Sequence, residues 1–132
     1  MPPTPPSVDD EVWVDDHLLH VERTLWLQLS NQDRRHSAAV ARRFVECRPT
    51  ATRAEIAGAL LHDVGKIQCG LGTFGRVVAT LAGPRTEAFA AYHDHEEIGA
   101  AMALAVGSDP ATVDLIAQRG PAFAALAASD HA

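Results

Sequence analysis

Aromatic residues make up 5% of the 132-residue chain, and cysteines number two. Cys47 and Cys69 stand apart with no CxxC spacing, and a disulfide between them is the less favoured reading. Two free thiols in a reducing cytosol are the expectation. An excess of positive charge is missing too. Eleven basic residues against seventeen acidic ones leave a net charge of −6 with neutral histidines. That balance argues against the basic surfaces that nucleic acids and anionic membranes require. No apolar run approaches the length that spans a bilayer, the longest being 100–106. Met1 is followed by prolines where a signal peptide would show a basic and then an apolar run, and a soluble, cytoplasmic protein is expected. No period-2 segment makes a convincing strand and β-branched runs are nearly absent, whereas alanine and leucine abound, and these favour helix over strand. The expectation is an all-α domain over residues 9–132, a compact multi-helix bundle, preceded by a proline-rich disordered tail over 1–8.

Along the chain, helical periodicity begins at Asp9 or Asp10 and continues through Leu18, Val21, Leu25 and Leu29 until Ser30-Asn31-Gln32 interrupts it. His17 and His20 lie three apart on this stretch and read as solvated histidines. Asp33 is a candidate cap for a helix over 35–47, whose stripe of His36, Val40, Phe44 and Cys47 points a histidine at the core. Arg34, Arg35, Arg42 and Arg43 fall off that stripe and read as a solvated face, with Arg35 near enough to His36 to be considered for a substrate phosphate. Thr52-Arg53-Ala54-Glu55 is a capping box that launches the helix ending in AGALLHDVGK. Gly65 reads there as the C-terminal stop, and Lys66 as the cation beside the last carbonyls.

The remaining segments are expected to be a glycine-containing connection from Gly70, short helices over 74–81 and 86–92, and a helix over 98–106 with acidic residues in its first turn. Asp109-Pro110 opens a further helix to Gln118. The last helix runs from Pro121 to about Ser129.

Histidine and aspartate recur at points that helix packing can bring together. His36, the doublet His62-Asp63, His95 and Asp130 supply imidazole nitrogens and carboxylate oxygens, the donors that borderline and hard divalent metals take at neutral pH. Two imidazoles and two carboxylates in one site leave coordination positions open to water or substrate. Taken singly, His36 reads as a core histidine and Asp130 as a carboxylate at a helix end. Only the set as a whole carries the reading.

RRHSAAVARRF, ALLHDVGK and HEEIGAAMA, followed by Asp130, form the order H…HD…D. This pattern resembles the HD-domain superfamily of metal-dependent phosphohydrolases, from about Leu18 to Asp130. The resemblance implies that His36, His62, Asp63 and Asp130 are metal ligands. His95 matches the additional histidine of members with a wider or two-metal site, and Lys66 is a candidate for substrate phosphate. It implies one divalent ion (manganese, iron, zinc, nickel or magnesium) or a pair. The implied activity is hydrolysis of a small phosphorylated molecule, a nucleotide or a phosphodiester, by a metal-bound water that Asp63 orients, with Asp63, His62 and Lys66 in the catalytic roles. One departure favours a single ion: two-metal members carry histidine where this chain has Leu115-Ile116-Ala117-Gln118-Arg119-Gly120. A non-catalytic module of the same kind, binding a metal or ligand in regulation or assembly, is the alternative. The Ala-rich helices from Ala100 and Pro121 suit either a monomer core or a homo-oligomer.

Overall fold

A computed structural model describes residues 4–66 and 95–131. The expected helices over 74–81 and 86–92, the glycine connection and Cys69 lie outside the described residues. Those that are described form seven α-helices and no strand, so the all-α expectation holds. The helices are α1 (Val8–His17), α2 (His20–Trp26), α3 (Asn31–Cys47), α4 (Arg53–Leu60), α5 (His95–Val106), α6 (Pro110–Ile116) and α7 (Phe123–Asp130). None is long and apolar enough to cross a membrane.

At the centre, α4 packs on α3 and α6, while α3 also carries α7 and α6 carries α5. Helix α1 lies on α4, and α2 on α5. The core brings together Trp26, Phe44, Leu60, Leu61, Met102, Leu115 and Ile116. At roughly 1.5–3 kcal/mol for each fully buried large side chain, this apolar burial holds the helices together. Gly58 lets α4 and α6 approach closely, since a Cβ on it would lie 3.0 Å from that of Leu115.

The caps explain most of the helix ends. Ser7 accepts from the Asp10 amide and starts α1 at Val8; Pro6 just before it is buried, and Thr4 Oγ1 accepts from Arg35 at 2.9 Å. Ser30, and not Asp33, caps the third helix, accepting from the Asp33 amide at 3.1 Å. The capping box at Thr52 is present in both directions, each bond 3.1 Å.

The first long periodic stretch is two helices, broken at Leu18 and Leu19, both in extended conformation. Glu22 causes the break. Its fully buried carboxylate accepts from the Leu19 amide at 2.8 Å and from the Ser108 hydroxyl at 2.6 Å, with the Arg53 guanidinium 3.7 Å away. A carboxylate is tolerated at 0% exposure only with such partners.

Candidate metal centre

The stretch carrying the doublet is not the final turn of a helix. Helix α4 ends at Leu60, and Leu61 to Lys66 continue in tight turns that close as one 3₁₀ turn. Gly65 does not serve as a left-handed stop, because its φ is not among the positive ones. It is glycine because the chain crosses the start of α5 there: a Cβ at Gly65 would sit 1.9 Å from the His95 carbonyl oxygen. On the other side of the contact, a Cβ at Gly99 would come within 3.1 Å of the Gly65 nitrogen. The doublet and His95 are thereby held at one end of the bundle.

There the helices bring three of the five expected ligands into one group. One potential ligand atom each from His36, on α3, His62, after α4, and Asp130, closing α7, lie within 4.8 Å of one another. His36 Nε2 donates to Asp130 Oδ1 at 3.0 Å, and His62 Nε2 is 3.5 Å from the same oxygen. Asp63 Oδ2 approaches His62 Nε2 to 3.4 Å, and Lys66 Nζ lies 3.4 Å from that Asp63 oxygen. Asp63 and His95 fall outside the 4.8 Å group. His95 nevertheless lines the same pocket as His62, Asp63 and Asp130.

The chemistry of His62 decides what this cluster is suited to. Its Nδ1 lies 2.7 Å from the Ala59 carbonyl, and a carbonyl can only accept, so Nδ1 carries the proton. In the neutral ring Nε2 is then a bare lone pair, buried and without a hydrogen-bond partner, and it faces two carboxylates. A buried acceptor surrounded by carboxylates calls for positive charge, which a proton on the ring or a divalent cation supplies. A backbone carbonyl behind the ring is also the usual way a metal-binding histidine is oriented. The donor set present, imidazole nitrogen with carboxylate oxygen, fits such an ion.

Asp130 has its own electrostatic bias. Burial pushes its carboxyl upward, but the positive charge that His62 carries when protonated, the hydrogen bond from His36, and the charges of protonated His36 and His131 outweigh that and hold it below the ordinary range. It is thus kept ionised, as a ligand must be.

The cluster opens into a pocket of about 210 Å³. His62, Asp63, Lys66, His95 and Asp130 form its polar part, while Leu115, Ile116, Phe123 and Leu126 give it an apolar wall. Glu96, Gln118 and His131 also line it. Gln118 is the one described non-glycine residue with positive φ, at 65°. It closes α6 in a Schellman arrangement: its amide donates to Leu115 and that of Arg119 to Asp114. Its carboxamide donates to Glu96 at 3.3 Å.

Of the arginines of α3 expected on a solvated face, Arg35 and Arg42 are exposed, and Arg34 and Arg43 are half-buried. Arg35 turns to Thr4 and does not line the pocket. Arg42 pairs with Asp10 at 2.9 Å and lies 4.6 Å over the Trp13 ring, and Arg43 reaches the carbonyl of Ser129. Comparison with protein-family models, with curated proteins and with solved structures returns no match.

Proposed function

We propose that the protein is a metal-dependent phosphohydrolase of small phosphorylated molecules, with its site at the His36–His62–Asp63–Asp130 cluster. The observation that carries the reading is the buried, partnerless Nε2 of His62, oriented by Ala59 and surrounded by carboxylates. The H…HD…D order of the same residues and its resemblance to the HD-domain superfamily support it independently. His36, His62 and Asp130 would hold the ion, with Asp63 beside them. A divalent ion bound there draws charge from phosphoryl oxygens and acidifies water.

The chain's own groups supply the rest. Asp63 Oδ2 lies at the edge of the cluster, where it can orient a water and take its proton. Lys66, 3.4 Å from that oxygen and about half exposed, offers an ammonium to the phosphate at the pocket mouth. Leu115, Phe123 and Leu126 can cover an apolar or aromatic portion of the same molecule. The pocket volume of about 210 Å³ suits a small ester better than a polymer.

Phosphate release from a panel of nucleotides and phosphodiesters, with Mn²⁺, Fe²⁺, Zn²⁺, Ni²⁺ or Mg²⁺ supplied, tests the reading. Turnover that disappears in Asp63→Ala while the helical circular-dichroism signal persists is the expected outcome. Stoichiometric metal uptake with no turnover on any member of the panel would replace it with the non-catalytic binding module.

A further inference from the structure

Asp130 sits on the last helical residue of α7, where end-fraying would carry a ligand out of the site. Two contacts from a single helix oppose this. His36 and Arg43 are seven residues apart on α3, two turns along one face. His36 Nε2 bonds the Asp130 carboxylate at 3.0 Å, and Arg43 Nε donates to the Ser129 carbonyl at 2.9 Å. That carbonyl stands in the last turn of α7, where carbonyls run out of helical amides to accept from. A guanidinium at a helix C-terminus also meets the negative end of its dipole. Ser129 is 1% exposed, and its hydroxyl turns back to the Ala125 carbonyl at 2.8 Å, so the residue that Arg43 grips is itself seated in the core.

We propose that Arg43 is a positioning residue of the metal centre: by holding the Ser129 carbonyl it fixes the final turn of α7 so that Asp130 faces His36 and His62. This rests on the metal-binding reading of the cluster. Arg43 does not touch the ligand atoms; it sets where one of them stands. The consequence is specific, because losing the grip loosens one turn of one helix and leaves the α3–α4 core packed.

The test uses Arg43→Met, which keeps the apolar stem and removes the donor, with Arg43→Lys and Asp130→Ala beside it. Mn²⁺ affinity is measured on the folded proteins, and amide exchange is followed at His131, whose N–H bonds the Ala127 carbonyl at 3.2 Å. Arg43→Met is expected to weaken Mn²⁺ binding about 10- to 100-fold, as loss of supporting contacts to metal ligands does. It should also speed exchange at His131 while exchange in α3 and α4 stays as in wild type. Arg43→Lys, retaining a charged donor on a shorter reach, should recover part of both. If Arg43→Met does not fold, the Lys variant decides, with a weakened affinity and faster His131 exchange expected. Wild-type affinity in every folded Arg43 variant, with binding lost in Asp130→Ala, would overturn the positioning role and leave the metal centre standing. A wild-type protein that takes up no Mn²⁺ overturns both.

Discussion

Gly65→Ala is the sharpest structural perturbation available at the site. The added Cβ would lie 1.9 Å from the His95 carbonyl oxygen, 2.7 Å from its carbon and 3.0 Å from its Cα. A Cβ essentially never sits closer than 3.0 Å to such an atom, so the two segments must separate by at least 3.0 − 1.9 = 1.1 Å. The neighbour is backbone at the first residue of α5 and cannot rotate away as a side chain would. Overpacking of a rigid contact costs typically 1–3 kcal/mol, and about 3 kcal/mol is expected here. With a urea m-value of about 1.5–2 kcal/mol/M, the unfolding midpoint should fall by about 1.5–2 M. Gly99→Ala is the control from the other side of the contact. Its Cβ would meet the Gly65 nitrogen and Ile116 Cγ2 at 3.1 Å each, a smaller overlap. The helix gains about 0.5–1 kcal/mol from replacing a glycine by alanine, so the net loss should stay under about 1 kcal/mol. Urea unfolding followed by circular dichroism measures both. A Gly65→Ala midpoint within about 0.3 M of wild type would refute the close approach that seats the His62-Asp63 turn against α5.

Two further substitutions probe the scaffold. Glu55 is held below the ordinary carboxylate range first by its hydrogen bond from Arg48, then by the Thr52 amide and the Arg48 charge, against the opposing effect of burial. Because its folded-state pKa is lowered, its stabilisation is present above the ordinary carboxylate range and is lost as pH falls through it toward the folded value. Glu55→Gln should therefore be less stable than wild type at pH 7, by about 1–2 kcal/mol, and the gap should shrink in urea titrations taken toward pH 3. A gap that stays constant over that interval would contradict the Arg48–Glu55 pairing. Gln118→Gly should raise stability by about 0.5–1 kcal/mol, since glycine carries no penalty at positive φ. That is an increase of about 2–4 °C in Tm, and a fall in Tm would show that the carboxamide bond to Glu96 outweighs the backbone strain.

Local signals in the sequence carry much of this fold. The capping box at Thr52-Glu55 and the Asp109-Pro110 start are properties of adjacent residues, and both stand where the sequence put them. Of the stripe through His36, Val40, Phe44 and Cys47, only Val40 and Phe44 are buried; His36 and Cys47, which the same spacing aimed at the core, are exposed. Other features depend on partners distant in sequence. Periodicity through Leu18 and Leu25 reads as one helix, because the carboxylate that breaks it, Glu22, owes its burial to Ser108, 86 positions away. Gly65 looks like a helix stop from its neighbours alone, and only the His95 backbone packed against it gives the actual reason. Arg43 reads as a solvent-facing charge until α7 folds back and presents the Ser129 carbonyl. Of the expected ligands, His36, His62 and Asp130 converge from three separate helical segments, a convergence that spacing could suggest and only packing could produce.

Elemental analysis of the untagged protein tests the central claim most directly, with His62→Ala and Asp130→Ala analysed in parallel. The account predicts close to one divalent metal per chain after exposure to Mn²⁺ or Fe²⁺ and desalting, and loss of that metal in both variants while their helical signal remains. Wild-type protein that retains no metal after such exposure would contradict it, as would equal retention in wild type and in both variants.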